Sequence, residues 1–498
     1  MTDIIVPSAA ADAAGLIHDA AAAQAAGADM LELRLDRSLA AGADAHALLA
    51  AIAECVLPIL VTVRDHSEGG EWQGNEEQRR QLLASADEAG AAFIDYELAA
   101  VEALNWQPSK ARLILSYHDF SGPGKQLRQR IDAMYAAGAT IAKVAITPRD
   151  AHDLGPLADA VAHAGQRPVI GIAMGPFGAP SRLLAGAWGC SHTFARLDAD
   201  DPGSAPGQPT VRELLDDYRL RAQTRDSLIL GVIGNPIGHS LSPAIHNAAL
   251  AHDGMDAIYV PFLVDDAQAF WRSCHGWIDG LSITIPHKQA LIEDTSANED
   301  LALAIGAINT LYRNEQGAVI GANTDAQAAL DCVNAVRGEV QGARCLVLGA
   351  GGVSRAICFA LKQAGAQLMI TNRSPERAAA LAHELAAQHL PWESATEADY
   401  DVLINCTAVG MREDVSPWPA EAHRPGTCVF DTVYTPLETR LLREAAMAGC
   451  RCQDGLRMFI KQAAAQYQRW LGRLAPEAIM HRRALERLAP DLLSPTAP

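Results

Sequence analysis

The 498-residue sequence predicts an α/β protein in which a (β/α)8 TIM barrel precedes a second α/β unit with a Rossmann-type nucleotide domain. Three observations predict this fold. Short aliphatic runs alternate eight times with Ala- and Leu-rich helical stretches over roughly the first 220 residues. A new series of strands and helices begins at Leu228. Later in the chain, a strand runs into the glycine-rich turn GAGGVS, which opens a helix.

Composition narrows the class of protein. Apolar residues make up 49% and charged residues 20%, which is ordinary for a folded globular chain. The net charge of -19, with dispersed Lys and Arg, argues against a nucleic-acid partner or an anionic membrane surface. Ten scattered cysteines form no redox or zinc motif, no apolar run reaches membrane-spanning length, and the N-terminus lacks signal-peptide features. We therefore expect a cytoplasmic protein with reduced thiols and no metal site, and no pattern indicates an oligomeric state.

Eight strands are predicted for the barrel. They are DIIV from Asp3, DMLELRL from Asp29, PILVTVR from Pro58, AFIDYEL from Ala92, RLILSYH from Arg112, TIAKVAI from Thr140, PVIGIAM from Pro168 and HTFAR from His192. We interpret DADDPGSAPGQPT as the last active-site loop, because VRELLDDYRLRAQ after it is needed as the eighth helix. The barrel is thus predicted to occupy residues 1–224.

Ionisable side chains lie at the carboxyl ends of the predicted strands, where barrel enzymes carry their active sites. They are Glu32, Arg34, Arg64, His118, Lys143 and, after the seventh strand, Arg182. Singly, each has a structural interpretation: Lys143 can pair with Glu32, and His118 can be a hydrogen-bonded structural residue. Their common position at one end of one barrel favours a functional site.

The residue types in this cluster suit a dehydration through a Schiff base. Burial and the nearby Arg34 and Arg64 both disfavour a protonated Lys143, so its amine can attack a ketone. The resulting iminium acidifies the neighbouring carbon, and His118 can remove that proton and then protonate a departing hydroxyl. Arg64 and Arg182 would hold an anionic group of the substrate, most naturally a carboxylate.

The motifs ELRLD, TVRDHSEGGEW, SYHDF, AKVAITP, PSRL and SAPGQ together resemble type I 3-dehydroquinate dehydratase over essentially residues 1–222. The resemblance implies that Lys143 is the Schiff-base lysine, that His118 is the general acid and base, and that Glu68 is its helper. It also implies substrate contacts from Glu32, Arg34, Arg64, Arg182, Ser204 and Gln208.

A nucleotide domain is predicted over residues 331–453. The strand CLVLG leads into GAGGVS at Gly349, so backbone amides at the start of the next helix can hold a pyrophosphate. About 20 residues on, where an NAD site carries an acidic residue, the chain reads NRSPER. Its donors, Asn372, Arg373, Ser374 and Arg377, favour NADP over NAD, with a solvated basic turn as the alternative.

Residues 228–330 and 454–488 are predicted to form the remaining domain, because the amphipathic helix DGLRMFIKQAAAQYQRWLG is expected to fold back onto the part that begins at Leu228. The stretches HSLSP, LSITIPHK, GAINT and GANTDA cluster hydroxyls and amides with Lys288 and Asp325, which suits a polyhydroxylated ring. A lysine hydrogen-bonded to an aspartate can protonate a carbonyl that is being reduced by hydride. A surface ion pair is the alternative interpretation.

With NCTAVGM, DTVYTPLET and DGLRMFIKQ, these motifs are similar to shikimate dehydrogenase over nearly all of residues 228–488. The resemblance implies Lys288 and Asp325 as the catalytic pair. The implied substrate residues are Ser240 and Ser242 for the carboxylate, with Ser282, Thr284, Asn309, Tyr434 and Gln462. The implied cofactor residues are Gly349, Ala350, Gly351, Gly352, Val353, Asn372, Arg373, Ser374, Arg377, Thr407 and Gly455. Ser282 departs from the Asn of many bacterial members, which can alter how the ring hydroxyls are recognised.

The two resemblances describe consecutive reactions, because the product of the first is the ketone that the second reduces. We therefore predict conversion of 3-dehydroquinate through 3-dehydroshikimate to shikimate with NADPH. Three alternatives stay open. One is a catabolic quinate or shikimate enzyme that uses NAD, another is a catalytically dead metabolite sensor, and the third is a Schiff-base aldolase fused to a reductase.

Overall fold

The computed structural model describes residues 1–198, 200–201 and 207–490. The chain divides into two compact units. The first consists of Met1–Gly238 with Asp256–Ile278, and the second consists of His239–Met255 with the chain from Asp279 onward. In the described residues, no helix is both long enough and apolar enough to cross a membrane.

Twenty strands are assigned within the described residues. They are β1 (Asp3–Ser8), β2 (Met30–Arg34), β3 (Ile59–Thr62), β4 (Phe93–Glu97), β5 (Arg112–Asp119), β6 (Ile141–Ile146), β7 (Val169–Ala173), β8 (His192–Phe194), β9 (Leu228–Gly234), β10 (Ala257–Leu263), β11 (Gly280–Ile283), β12 (Ala297–Asn298), β13 (Thr310–Arg313), β14 (Val319–Ala322), β15 (Arg344–Leu348), β16 (Gln367–Thr371), β17 (Gln388–His389), β18 (Val402–Asn405), β19 (Cys428–Asp431) and β20 (Arg451–Gln453).

Eighteen α-helices accompany them in the same part of the chain. They are α1 (Ala13–Ala26), α2 (Leu35–Ala40), α3 (Ala45–Ala50), α4 (Glu76–Glu88), α5 (Val101–Leu104), α6 (Leu127–Ala136), α7 (Leu154–His163), α8 (Pro180–Leu183), α9 (Ala185–Trp188), α10 (Ser242–His252), α11 (Ala267–Cys274), α12 (Asp300–Ile305), α13 (Asp325–Arg337), α14 (Gly352–Gln363), α15 (Pro375–Glu384), α16 (Arg440–Met447), α17 (Gly455–Leu471) and α18 (Glu477–Leu488).

The first unit contains the predicted eight-stranded parallel barrel. The strand order is β7-β6-β5-β4-β3-β2-β1-β8, so β1 pairs with both β2 and β8. Each strand contributes at least one side chain to a buried apolar cluster that contains Ile5, Met30, Leu60, Phe93, Ile114, Ile141, Ile170 and Phe194. This cluster fills the barrel as a packed layer, as is usual for the fold. The eight strands predicted from the sequence are confirmed.

The predicted eighth helix is helical over residues 211–217 but is interrupted after them. The segment that contains it forms a π-helical turn at Glu213–Asp217 and a 3-10 turn at Leu220–Ala222. Between the two turns, Arg219 adopts a φ of 49°, a left-handed conformation that ends a right-handed helix. Gln223 then attaches the segment to the barrel, since its Nε2 donates to the carbonyl oxygens of Leu183 and Tyr218 at 2.8 and 2.9 Å.

The first unit ends with a parallel pair of strands and a helix. β9 and β10 pair over seven residues. α11 begins after Asp266, whose side chain accepts from the N–H of Ala269. This segment follows the barrel in sequence and belongs to the same compact unit.

The second unit contains a Rossmann-type sheet. Six parallel strands lie in the order β17-β16-β15-β18-β19-β20, and β15 has β16 on one side and β18 on the other. The order reverses at β15, and in such sheets ligands bind beyond the carboxyl ends of the strands at this switch point. The glycine-rich turn at Gly349 directly follows β15.

Four strands of a further sheet, β11 to β14, and the helix α17 complete the second unit. Antiparallel pairs join β11 to β13 and β13 to β14, and β14 also pairs with β12. α17 packs on this sheet, because Trp470 Nε1 donates to the carbonyl oxygen of Leu311 at 2.8 Å. This hydrogen bond joins α17 to β13 within the second unit.

Candidate active sites

The barrel site follows from the alternation of side chains along the strands. Residues two positions beyond the apolar cluster face the same interior. Five of them are polar, fully or nearly fully buried, and form the layer nearer the carboxyl ends: Glu32, Thr62, Asp95, Ser116 and Lys143. We call this set the polar layer. Its charged members must satisfy one another, because burial removes them from water.

Lys143 lies within this layer on β6. Its Nζ is 2.9 Å from Oδ2 of Asp95 and 4.0 Å from Oε1 of Glu32. The same nitrogen lies 4.5 Å from the ring centre of Phe194, on β8. The partner of Lys143 in this structure is therefore Asp95, which the sequence analysis did not single out, rather than Glu32.

Arg64 lies above the polar layer and is surrounded by acceptors. It donates to Asp95 at 2.8 Å, to Glu97 at 2.8 Å and to the hydroxyl of Ser116 at 2.6 Å. Glu97 also pairs with the buried Arg79. Asp95 and Glu97 raise the pKa of the Arg64 guanidinium against the effect of burial, and Arg64 and Lys143 hold the pKa of Asp95 well below its usual range. Arg64 is therefore a permanent cation held in place by two carboxylates.

His118 and Glu68 form a hydrogen-bonded pair at the mouth of the barrel. Nδ1 of His118 lies 3.0 Å from Oε2 of Glu68, which also accepts the backbone N–H of His118 at 2.8 Å. Burial and the cations Arg64 and Lys143 lower the pKa of His118 well below its usual value. Burial raises the pKa of Glu68 to about 7. The neutral imidazole thus keeps Nε2 for proton transfer, because Nδ1 faces the carboxylate.

Two further predicted residues lie on β2. Oε1 of Glu32 accepts from the hydroxyl of Thr62 at 2.8 Å. Arg34 forms a two-point ion pair with Asp36, at 3.0 and 2.8 Å, and this pair holds the pKa of Asp36 below its usual range. Both predicted residues therefore have defined orientations within the barrel.

Arg182 differs from Arg64 because no carboxylate pairs with it in the described residues. It is 1% exposed, donates to the carbonyl oxygen of Ala173 at 2.8 Å, and its Nε has no partner in that part of the chain. Burial lowers its pKa to about 10. Gln208 is also buried. The predicted Ser204 lies outside the described residues.

The second site is built around Lys288 and Asp325. Nζ of Lys288 lies 2.5 Å from Oδ2 of Asp325, and both side chains are buried. Asp325 opens α13, and its Oδ1 accepts from Nδ2 of Asn309 at 3.0 Å. A Cβ placed on Gly352, the first residue of α14, would lie 3.4 Å from Cδ of Lys288. The lysine side chain therefore runs against the start of the predicted nucleotide-binding helix.

A hydrogen-bonded chain extends from Asn309 to α17. Thr310 donates to Oδ1 of Asn309 at 2.8 Å and accepts from Nε2 of Gln466 at 3.1 Å. Oε1 of Gln466 accepts from the hydroxyl of Ser282 at 2.8 Å. The structure thus links the predicted Ser282 and Asn309 through Gln466, a residue the sequence analysis did not identify.

The other predicted substrate residues fall into smaller groups. Ser240 accepts from the backbone N–H of Ser242 at 3.2 Å. Tyr434 stacks on Phe459 with ring centres 4.5 Å apart, and Gln462 donates to the carbonyl oxygen of Phe459 at 2.9 Å. The remaining predicted residue, Thr284, follows β11 and is partly buried. Gln462 precedes Gln466 by one helical turn, so both project from the same face of α17.

The glycine-rich turn has the geometry of a phosphate-binding loop. Gly349 has a φ of 115°, and a Cβ there would lie 3.2 Å from the backbone of Cys406, so no other residue fits without strain. No side chain caps the helix at Gly351. A Cβ at that glycine would meet open space. The amides at the start of α14 are therefore open to an anion. Ala350 and Val353 belong to the same turn and first helical residues.

The predicted ribose contacts lie beyond β16. Nδ2 of Asn372 donates to the carbonyl oxygen of Ser374 at 3.1 Å, which shapes the turn. Arg373 and Arg377 are exposed. Elsewhere, Thr407 donates to Oδ1 of Asn405 at 2.7 Å, and Gly455 packs so closely on the carbonyl oxygen of Thr432 that a Cβ would lie 2.5 Å away. Two exposed guanidinium groups thus lie within six residues of the end of β16.

Comparisons with known proteins match different family models to successive parts of the chain. The model of type I 3-dehydroquinase matches residues 4–225. Three further models match the remainder: the shikimate dehydrogenase substrate binding domain over 232–311, shikimate / quinate 5-dehydrogenase over 331–412, and the shikimate 5'-dehydrogenase C-terminal domain over 455–485. Together with the two sites, these matches define a fused lyase and dehydrogenase.

Relatives identify the family more closely. The chain is 34% identical over 497 residues to the bifunctional 3-dehydroquinate dehydratase/shikimate dehydrogenase, chloroplastic, of Arabidopsis thaliana, covering 93% of this chain and 81% of the relative. It is 39% identical over 275 residues to shikimate dehydrogenase (NADP(+)) of Methanosarcina acetivorans, covering 52% and 98%. A crystal structure of a shikimate dehydrogenase in complex with NADP+ matches 54% of this chain and 98% of its own, with 32% identity and a TM-score of 0.51. The chain belongs to the family of bifunctional 3-dehydroquinate dehydratases/shikimate dehydrogenases.

Proposed function

We propose that the barrel dehydrates 3-dehydroquinate to 3-dehydroshikimate through a Schiff base on Lys143, and that the second unit reduces this ketone to shikimate with NADPH. One observation carries both assignments: each unit buries a lysine against an aspartate, at 2.9 Å for Lys143 and Asp95 and at 2.5 Å for Lys288 and Asp325. Lys143 is close enough to His118 to lower the pKa of that imidazole, and Lys288 runs against the start of the predicted nucleotide-binding helix.

In the barrel, Nζ of Lys143 attacks the ketone carbon, and the carbonyl oxygen leaves as water, which gives an iminium. His118 Nε2 takes a proton from the adjacent carbon, and Glu68 stabilises the imidazolium through Nδ1. The enamine electrons expel the hydroxyl, which departs as water with the proton from His118. Hydrolysis of the product iminium then frees Lys143.

The substrate carboxylate is assigned to Arg182. Its guanidinium is buried, and among the described residues it has a backbone oxygen but no carboxylate as partner. Such a cation gains strongly from a bidentate anion. Arg64 and Arg34 already hold carboxylates of the protein, so we assign to them the neutral groups of the substrate.

In the second unit, Lys288 Nζ protonates the carbonyl oxygen as it becomes an alkoxide, and Asp325 holds the ammonium in position. Asn309 fixes the second oxygen of Asp325, so the pair has one orientation. NADPH bound at the glycine-rich turn supplies the hydride. Ser240, Ser242, Thr284, Tyr434 and Gln462 are assigned to the substrate, together with Ser282.

The dinucleotide is assigned to Gly349–Val353, with its 2'-phosphate on Arg373 and Arg377 beside Asn372 and Ser374. No acidic residue lies between Thr371 and Pro375, where NAD enzymes hold the ribose hydroxyl. The curated shikimate dehydrogenase of Methanosarcina acetivorans is named as NADP(+)-dependent. A catabolic enzyme that uses NAD is therefore not favoured, and neither is a catalytically dead sensor, since both lysine pairs are intact.

Domain limits and location are part of the same proposal. We place the dehydratase at residues 1–224, the substrate domain of the dehydrogenase at 228–330 with 454–488, and the nucleotide domain at 331–453, in line with the matched ranges. We also propose a cytoplasmic location without a nucleic-acid partner. All ten cysteines are free thiols, which suits a reducing compartment. The net charge of -19 argues against a nucleic-acid partner.

The experiment that tests the assignments is hydride trapping combined with separate assays. Borohydride added with 3-dehydroquinate should fix one substrate-derived mass on a peptide that contains Lys143. Lys288→Ala should be trapped equally well and should fail to oxidise NADPH with 3-dehydroshikimate. A mass on another peptide, or none, contradicts the barrel mechanism, whereas reduction by Lys288→Ala at the wild-type rate contradicts the dehydrogenase assignment.

A further inference from the structure

Asp95 is the most completely buried carboxylate that contacts Lys143. It lies on β4, is 0% exposed, and its two oxygens have different partners. Oδ1 accepts from Arg64 at 2.8 Å and from Ser116 at 2.6 Å. Oδ2 accepts from Nζ of Lys143 at 2.9 Å. One oxygen therefore anchors the carboxylate in the barrel, and the other faces the nitrogen that reacts.

Glu32 is the other carboxylate near Nζ of Lys143, and it lies farther from that nitrogen than Asp95 does. Its nearer oxygen is 4.0 Å from Nζ of Lys143, beyond hydrogen-bond distance, and that oxygen already accepts from Thr62. Among the residues that the structure describes, the other charged or titratable groups that face the Lys143–Asp95 pair are Arg64, Glu97, His118 and Glu68. Of these, Arg64 and His118 are held to other carboxylates at 2.8 and 3.0 Å.

We propose that Asp95 is the counter-ion of the Schiff-base nitrogen, a catalytic role that rests on the proposed dehydration. When Nζ of Lys143 forms its double bond to the ketone carbon and water leaves, the nitrogen keeps one proton and one positive charge. That N–H donates to Oδ2 of Asp95. The charge disappears as the enamine forms and returns as the hydroxyl leaves, so the carboxylate stabilises the nitrogen in each charged state.

The charge of Asp95 is maintained by its surroundings. Arg64 and Lys143 hold the pKa of this carboxyl well below its usual range, although burial opposes them. Because Arg64 persists through the reaction, Asp95 stays ionised when Lys143 is consumed in the imine. A fixed anion in a dry site needs no reorganisation at the moment of reaction.

The test is the pH dependence of dehydration in Asp95→Asn, a variant that keeps the shape and removes the charge. A neutral partner stabilises the protonated imine less, so the iminium loses its proton at lower pH. We expect the alkaline limb of kcat to move down by about one pH unit, and kcat at pH 8 to fall roughly 10- to 100-fold. Trapping by borohydride should show the same shift.

Three further variants make the result specific. Asp95→Glu keeps the charge, so its alkaline limb should stay at the wild-type pH even if kcat falls. Glu32→Gln should leave the position of the limb unchanged. Asp87→Asn is the matched control, because it removes a buried carboxylate at the other end of the strands, where Asp87 holds the N–H groups of Ser109 and Ala111.

The proposal is overturned if Asp95→Asn keeps the wild-type limb, if Asp95→Glu moves it as far as Asn does, or if Glu32→Gln moves it equally. If Asp95→Asn does not fold, the Glu32→Gln variant still tests the proposal, because an alkaline limb that moves in Glu32→Gln would assign the counter-ion role to Glu32. Failure of the wild-type chain to form any imine would instead contradict the proposed function. In every variant, NADPH oxidation with 3-dehydroshikimate shows whether the second unit is still folded and active.

Discussion

Nζ of Lys288 lies 2.5 Å from Oδ2 of Asp325, and the side chain of the same lysine runs along Gly352 at the start of α14. The proposed proton donor, its anionic partner and the start of the proposed nucleotide-binding helix are thus adjacent within one unit. By contrast, Lys143 pairs with Asp95 in the middle of the barrel. We propose different chemistry for the two lysines, and separate substitutions can test it.

Lys288→Ala and Asp325→Asn should impair reduction alone. Removal of the proton donor, or of the carboxylate that holds it, should lower kcat for 3-dehydroshikimate about 100-fold or more, since general acid catalysis contributes this much. Dehydration of 3-dehydroquinate, measured from the absorbance of the product enone, should stay at the wild-type rate. Loss of both activities in either variant would contradict the separation of the two sites.

The acid limb of dehydration should reflect Glu68. Burial raises the pKa of its carboxyl to about 7, so below that pH it becomes protonated and no longer accepts from Nδ1 of His118. The rate should therefore fall as the pH drops through about 7. Glu68→Gln should lose most of this dependence, together with part of the rate. An unchanged acid limb in Glu68→Gln would assign the limb to another group.

Gly349→Ala should weaken binding of NADPH. The backbone there has a φ of 115°, and the new methyl would lie 3.2 Å from the backbone of Cys406. Strain of about 1–3 kcal/mol is expected, and if it displaces the turn, KM for NADPH should rise about tenfold. Gly276→Ala is the control, because its Cβ meets open space. Equal effects of the two substitutions would contradict a phosphate-binding turn.

Arg373→Ser should reduce the preference for NADPH over NADH. A hydrogen bond to a charged group contributes about 1.5–3 kcal/mol, so kcat/KM for NADPH should fall roughly 10- to 100-fold while that for NADH changes little. Arg482→Ser, on the exposed surface of α18, provides a control of equal charge. If the NADPH to NADH ratio were unchanged in Arg373→Ser, the 2'-phosphate would lie elsewhere.

The alternation of side chains explains why much of the barrel site was predictable. Polar residues at every second position of aliphatic strands must enter the interior, and Lys143 and Glu32 were visible on that ground. Asp95 was not identified, because FIDYEL contains two acidic residues and strand alternation does not say which cation each one meets. That pairing depends on β4 lying between Arg64 after β3 and Lys143 on β6, which is a tertiary property.

Two other differences between the sequence-based predictions and the structure have physical causes. An eighth helix was expected because the barrel pattern requires one after the last loop, but the left-handed backbone at Arg219 interrupts it. Gln466 resembles any polar position of an amphipathic helix, and its bonds to Ser282 and Thr310 appear only once α17 packs on the strands β11 to β14. Strand patterns therefore predicted the fold, and family resemblance supplied many of the candidate site residues, whereas long-range polar partners required the structure.

The most direct test of the whole account is NADPH oxidation by the purified full-length chain after addition of 3-dehydroquinate, with no other enzyme present. Only a chain that carries both activities can consume NADPH from this substrate. We predict a steady fall in NADPH that stops in Lys143→Ala and returns there when 3-dehydroshikimate is supplied. No oxidation by the wild-type chain, or undiminished oxidation by Lys143→Ala, would contradict the account.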